Sequence, residues 1–331
     1  MKKYVCLFAI FLLFITGCVK YGEKGVIKDL NKKINKSDSY QVDGELQITN
    51  NDEVYNYEVN VSYKKENYYK VVLTNLSNDH TQIILKNDDG VYILTPALNK
   101  SFKFQSDWPY NNSQIYLLKA LFDDISNDEK RKFKELDDGY LFETKVNYPN
   151  NKNLVTQKIL LNKKLKFKSV KVYDENKVIC MEMTFKNIDY SPTFKKNHFE
   201  VDTVMKTFAD KIIVEETVQL DDSIYPLVLP TGTKLISEEK VKKDNGDRII
   251  MTFDGDKPFL LVEETANVLD EFTIIPTYGE PYQLMDTLGV MTSNSLTWTS
   301  NGIEYYIVSD VLEHDELVEV AQSINVLPTM K

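Results

Sequence analysis

The chain has 331 residues, with 40 basic, 50 acidic and 3 histidine side chains and a formal net charge of −10. A body this acidic excludes nucleic acid as a partner and broad electrostatic adhesion to an anionic membrane. Its 20 tyrosines and 16 phenylalanines supply a packed core and exclude a disordered stalk.

At the N-terminus, Lys2 and Lys3 precede an uncharged run from Tyr4 to Thr16, shorter than the ~20 residues of a comfortable membrane span. Charge followed by a short apolar run is the layout of a secretory signal, here residues 1–17. The ending Ile15-Thr16-Gly17-Cys18 resembles the bacterial lipobox. That resemblance implies cleavage after Gly17 and a diacylglycerol on the Cys18 thiol, hence a lipid anchor at the extracytoplasmic face of a cell membrane. Residues 18–331 then remain, without Lys2 and Lys3, as 38 basic against 50 acidic side chains, or −12. Cys6 leaves with the signal and Cys18 carries lipid, so Cys180 stands alone and an intramolecular disulfide is ruled out.

Residues 18–39 hold the lipidated N-terminus and an amphipathic helix. Lys24, Lys28, Lys32 and Lys36 recur every four residues, and Val26, Ile27, Leu30 and Ile34 keep helical spacing on the nearly opposite face. The lysines face water or lipid headgroups, and the apolar stripe faces the body.

Beyond Lys36 the period changes. SYQVDGELQIT, YNYEVNVSYKK, YYKVVLTNL, TQIILKND and GVYILTP read as consecutive strands broken by Asn-Asp, Ser-Asn-Asp and Asp-Asp-Gly turns. In YNYEVNVSY, Tyr57, Val59, Val61 and Tyr63 alternate with Glu58, Asn60 and Ser62, the pattern of an antiparallel sheet with one buried face. A helix follows, with Ile115, Leu118, Leu121, Phe122 and Ile125 at helical spacing behind an Asn-Asn-Ser start. Strands resume in GYLFETKVNY, VTQKILLNKKLKFKSVKVYDE and VICMEMTFKNIDY. Residues 40–205 therefore form one sheet-and-helix domain, and VDTVMKTFADKIIVEE is a linker or short helix.

Residues 214–331 form a smaller domain punctuated by LPTGTKL, KKDNGDRI, FDGDKPF, IPTYGEPY and TSNGIEYY. SLTWTS-NG-IEYYIVS is a tight hairpin whose Asn301-Gly302 pair suits a type I′ turn. The closing SDVLEHDELVEVAQSI is a helix with Leu317, Val318, Ala321 and Ile324 on its docking face and acidic residues at its start. The fold class is α+β: a curved antiparallel sheet packed on helices, plus a smaller C-terminal α+β domain.

Catalytic chemistry finds no foothold. His80, His198 and His314 are widely spaced and lack a second ligand three or four residues away, so no metal site is expected. Cys180 shares a strand face with Val178, Glu182 and Thr184 and reads as a small filler. The carboxylate pairs in FDDIS, ELDDGY and QLDDS sit in turns, and no phosphate loop or Gly-x-Ser-x-Gly elbow occurs. The expectation is a non-enzyme without a cofactor. Exposed aromatics at Trp108-Pro109-Tyr110 and in the Trp298 hairpin are candidates for a partner surface. The inner face of the sheet is either a filled core or a pocket for an acyl chain.

YEVNVSYKKENYYKVVLTN, followed by QIILKNDDGVYILTPALNKSFKFQSDWPYNNSQIYLLKAL, resembles the LolA/RseB-like lipoprotein-carrier superfamily, most closely its GerS-type sporulation and germination lipoproteins from Gram-positive bacteria. Residues 20–205 carry the resemblance, through Thr95-Pro96, SFKFQSDWP and the helix start at Gln114–Leu118. SLTWTSNGIEYYIVSD with ELVEVAQSI resembles the small extracytoplasmic domain that often follows such modules, which the short germination lipoproteins lack. The resemblance implies a half-barrel without catalysis and, from the GerS type, a role in spore germination with a cortex cell-wall amidase as partner. Self-association into a homodimer is a further implication. The superfamily's carriers imply the alternative of a pocket that carries or senses lipid or acylated ligands.

Overall fold

The computed structural model describes residues 22–50, 53–109, 113–149, 151–209, 220, 222–244, 246–284 and 287–324. The expected signal and the lipobox residues Ile15, Thr16, Gly17 and Cys18 lie outside the described residues, as does Tyr110.

Helix α1 (Glu23–Asn35) turns Val26, Leu30 and Ile34 inward, all fully buried, and leaves Lys24, Lys28, Lys32 and Lys36 exposed. Six strands follow as a meander: β1 (Ser39–Asn50), β2 (Glu53–Lys64), β3 (Tyr68–Asn75), β4 (Thr81–Asn87), β5 (Gly90–Thr95) and β6 (Lys100–Phe104). Beyond helix α2 (Leu118–Asn127) come β7 (Lys132–Glu135), β8 (Gly139–Lys145), β9 (Leu154–Asn162), β10 (Phe167–Asp174) and β11 (Ile179–Asp189). Antiparallel pairing of β1 with β11 joins the two meanders into one open, curved sheet.

The two-residue period decides what each face covers. Tyr57, Val59, Val61, Val71, Ile84 and Ile93 point to the concave face, onto α1 and onto Leu118, Leu121 and Ile125 of α2. Val72, Ile83, Leu85, Tyr92 and Leu94 point the other way, where Phe199, Val204 and Met205 cover them from helix α3 (Val201–Ala209) and the turn before it. Strands β3 to β5 are thus buried on both sides, which explains their nearly continuous apolar text.

Helix α2 begins later than its periodicity predicts. Ser113 does not cap it; the Ser113 hydroxyl donates to the Asp124 carboxylate at 2.9–3.0 Å and accepts the Asn147 N–H at 2.8 Å. The segment from Ser113 to Leu117 is consequently a turn, and regular helix starts at Leu118.

The second sheet contains β12 (Thr233–Lys243), β13 (Gly246–Gly255), β14 (Phe259–Thr265), β16 (Glu280–Gln283), β17 (Leu288–Met291), β18 (Ser295–Ser300) and β19 (Ile303–Val308). Its order is β12-β13-β14-β19-β18-β17-β16, antiparallel throughout. Helix α4 (His314–Gln322) docks Leu317, Val318, Val320 and Ala321 on its inner face, with a reciprocal capping box between Glu313 and Glu316. Asn301 and Gly302 turn the β18–β19 hairpin at φ 47° and 75°, the positive-φ pair its Asn-Gly text predicts.

One strand crosses between the halves. Within IPTYGEPY and the residues before it, read from sequence only as turn punctuation, β15 (Thr273–Thr277) pairs in parallel with β6 and becomes the twelfth strand of the first sheet. The turn at Pro96–Asn99 clamps it: the Asn99 side chain donates to the Leu269 carbonyl at 2.8 Å, and the Thr273 N–H to the Asn99 carbonyl at 2.9 Å. A second tie is buried. The Gln82 amide donates to the Leu288 carbonyl at 3.2 Å and accepts the Thr287 hydroxyl at 2.9 Å and the Leu288 N–H at 2.5 Å. Leu288 and Val290 accordingly join the core of the first sheet.

Candidate functional site

The concave face of the large sheet is filled along most of its length by α1 and α2. Where the second sheet meets its end, a cleft of about 600 Å³ remains. One wall comes from the first sheet: Ile48, Ile84, Leu154 and Met181, with Trp108 beside them. The opposite wall comes from the second half: Tyr282 and Gln283 of β16 and Asp315, Val318 and Glu319 of α4.

A buried network positions the loops at its floor. Asp124 of α2 accepts from the Ser113 hydroxyl and from the Gln157 amide at 2.6 Å, and Ser113 holds the backbone of Asn147. Gln114 and Tyr116 follow Ser113, and Tyr148 and Pro149 follow Asn147, so one carboxylate fixes both loops. Burial pushes the Asp124 pKa up to about 6, against the two donors that favour its charged form. Burial also raises the hydroxyl pKa values of Tyr116, Tyr148 and Tyr282, which stay neutral.

Two acceptors in the walls have no donor. Gln283 donates its amide to the carbonyls of Leu284 and Thr287, but its side-chain oxygen meets nothing. Asp315 Oδ1 is buried without a hydrogen bond, its nearest cation being Lys152 at 3.9 Å. The Tyr148 hydroxyl lies against the Ile115 backbone and completes no hydrogen bond. Buried polar groups are normally satisfied, so three such atoms at one cleft mark it out.

The cleft offers no nucleophile with a base. Cys180 lines it, but burial raises the thiol pKa and so keeps it protonated. His198 lies elsewhere, on the far face of the sheet, with Nε2 3.0 Å from the Ser62 hydroxyl and its ring stacked on Phe194. Burial, reinforced by Lys70, lowers its pKa to about 4. Among the described residues no three His, Cys, Asp or Glu side chains are grouped to hold a metal.

The tryptophans correct the expected partner surface. Trp108 is 2 % exposed and meets Tyr69 edge-on at 5.9 Å, with Pro109 buried beside it. Trp298 is 6 % exposed and stacks on Tyr305 at 5.0 Å. Both are core residues because large rings gain most from burial, and Trp298 shares its strand face with Leu296. Trp108 still borders the cleft.

Exposed apolar surface appears instead in IYPLVLP, where Tyr225 is 46 % and Leu227 71 % exposed, with Val228 and Leu229 also exposed. The stretch lies beside β12, since Ser223 and Tyr225 both donate to Glu238. The Leu227 N–H donates to the Ser323 carbonyl at 3.0 Å, and the Ile224 N–H to Glu263 at 3.0 Å. Strand β12 is a sheet edge, exposed along nearly its whole length, and carries exposed apolar side chains of its own at Ile236 and Val241. An apolar run bounded by prolines and lacking strand alternation was the available signal in the sequence.

No family model matches the chain. The sporulation protein YdcC of Bacillus subtilis (strain 168) is 36% identical over 317 residues, covering 95% of this chain and 93% of that protein. Among solved structures, MucB overlaps 91% of this chain and 95% of its own at 12% identity, with a TM-score of 0.34. The LolA superfamily protein NE2245 from Nitrosomonas europaea overlaps 54% of this chain and 98% of its own at 11% identity, with a TM-score of 0.32. The complex of the CwlD amidase with the GerS lipoprotein from Clostridioides difficile matches over 53% of this chain and 95% of the matched one, at 18% identity and a TM-score of 0.20. On identity and length together, the chain belongs to the family of the Bacillus subtilis sporulation protein YdcC.

Proposed function

We propose that this protein is a membrane-anchored, non-enzymatic binding protein of sporulation, tethered through a lipid on Cys18 and acting by capture of a protein partner. The observation that carries this reading is the run of exposed apolar side chains Tyr225, Leu227, Val228 and Leu229 next to β12, an edge strand of the described sheet that exposes Ile236 and Val241. An edge strand that no other described strand pairs, next to exposed apolar side chains, suits strand addition by a partner, with main-chain bonds for affinity and the apolar side chains for selectivity. The GerS-type resemblance names the candidate partner, a cell-wall amidase of the spore cortex. Tethering raises the effective concentration of such a partner at the same membrane face. A carrier of acyl chains would need open apolar space along the concave face, most of which Val26, Leu30, Ile34, Leu121 and Ile125 occupy.

The test is recovery of partners from sporulating cells with the tagged, lipidated full chain and with a Leu227→Asp, Val241→Asp variant. The wild type is expected to bring down one protein in stoichiometric amount. The variant should lose it with an unchanged thermal midpoint, since exposed positions contribute about 0.5 kcal/mol or less to stability. Equal recovery by both, or no protein partner with either, overturns the reading.

A further inference from the structure

We propose that the cleft between the two sheets is a carbohydrate-binding site, taking a neutral or amino-sugar-bearing oligosaccharide. Three features of its walls define the ligand.

The first is charge. Among the described residues no lysine, arginine or histidine lines the cleft, whereas Asp174, Glu175, Glu280, Asp315 and Glu319 do, with Lys152 standing 3.9 Å from Asp315. A phosphate, an anionic lipid headgroup or an acidic sugar would enter against five carboxylates, of which Lys152 offsets Asp315 in part. Neutral and amine-bearing ligands carry no such penalty.

The second is the sense of the missing hydrogen bonds. Gln283 Oε1 and Asp315 Oδ1 are both acceptors without a hydrogen bond, Asp315 facing Lys152 at 3.9 Å. Both atoms are closed off from solvent, so a ligand that engages them turns these half-buried side chains toward it and must bring donors. Acyl chains have none and phosphates are chiefly acceptors. The vicinal hydroxyls and amines of a sugar supply several on one rigid ring, and the side-chain amides of Gln114 and Asn153 line the same space.

The third is ring surface. Tyr148 and Tyr282, both half-buried, border the same space and offer ring surface to it, while Trp108 and Tyr116 border it as core residues. A pyranose has an apolar face of axial C–H groups that packs on an aromatic ring, while its equatorial hydroxyls reach sideways to polar side chains. Alternation of aromatic and polar walls suits that two-sided ligand. The volume of about 600 Å³ falls within the ~300–1,000 Å³ of small-ligand sites. The walls are also preformed: the Asp124 network fixes one and the Gln82 tie sets the second sheet against the first.

The test is calorimetric and fluorescence titration of the full chain in detergent with three tetrasaccharides: N-acetylglucosamine, its deacetylated glucosamine form, and galacturonic acid as the anionic control. Saturable binding of one or both of the first two is expected, with no binding of the third. Tryptophan emission should change with it, because Trp108 borders the cleft. Asp315→Asn and Glu319→Gln should each weaken binding roughly tenfold, the loss of about one charge-assisted hydrogen bond, with an unchanged thermal midpoint. Failure of both uncharged and amine-bearing sugars to bind at millimolar concentration overturns the proposal. So does binding of galacturonate with equal affinity, or indifference of sugar binding to both variants. A basic peptide that binds where the sugars do not would reassign the cleft to a protein ligand. None of these outcomes depends on the β12 patch, so the two proposals fail separately.

Discussion

Glu263 sits on the inner face of β14, fully buried between Ile249 of β13 and Tyr305 of β19. One carboxyl oxygen accepts the Ile224 N–H and the other has no partner. Burial raises its pKa from the usual 4.5 to about 7, and the backbone donor only partly opposes this. The folded chain therefore holds a proton that the unfolded chain releases near pH 4.5. This contribution to stability is complete below that pH and is lost as pH rises toward 7. Asp124, raised to about 6, acts in the same sense between its usual 3.8 and that value. His198 acts oppositely: its folded pKa of about 4 lies below the usual 6.5, so its contribution is lost as pH falls from 6.5 through 4. Glu263→Gln removes one of the three. The variant is expected to be more stable than wild type at pH 8 and to lose part of the decline between pH 5 and 8, measured by thermal unfolding across that range. An unchanged pH profile would show that Glu263 is ionised in the folded protein.

Strand β15 reaches the first sheet from a point 170 positions further along the chain than the asparagine that clamps it. Asn99 both donates to Leu269 and holds φ at 50°, a left-handed conformation that asparagine tolerates better than alanine does. Asn99→Ala should cost about 1–2 kcal/mol, from one hydrogen bond and one strained backbone. The measurement that locates the effect is amide exchange: protection should fall in residues 269–277 and stay unchanged in β1, β2 and β11. Uniform loss of protection would mean that the strap does not open on its own.

Elements differ in how much of them the sequence carries. Helix α1 is legible because its lysines and its apolar stripe each repeat at a helical interval, and Val26, Leu30 and Ile34 are buried as that pattern requires. The β18–β19 hairpin is legible because Asn301-Gly302 occupies the two positions where positive φ is needed. Strands β15 and β16 are not. They have five and four residues, carry Pro276 and Pro281, and β15 takes its place from a parallel neighbour that no local pattern specifies. Trp108 and Trp298 show the same limit at single positions, since an aromatic ring between polar residues fits a core and a docking surface equally well. The cleft was beyond reach altogether. Its walls come from loops and strands separated by more than a hundred residues, brought together by ties such as β15, Gln82 and the Lys100–Glu304 ion pair.

At the scale of the molecule, the chain is a large sheet wrapped on two helices, with a second sheet-and-helix unit bound to one end. No helix among the described residues is long and apolar enough to cross a membrane. In the proposed function, residence at a membrane rests on the lipid at Cys18. One acylated cysteine with two or more chains anchors stably where a single chain does not. Cys18→Ala is expected to move the protein from the membrane fraction to the soluble fraction while leaving its fold intact. If it sediments with membranes at high salt after that change, the lipobox reading fails.

The strap from the second half also sets an order in time. Until residue 277 has emerged, β6 is the outermost strand of the first sheet, and the backbone groups that β15 will take are unpaired. A nascent or truncated N-terminal half thus presents a ready template for any extended segment, including the same strand of a neighbouring copy. Closing that edge is the last step in completing the first sheet, and it is performed by residues that belong otherwise to the second.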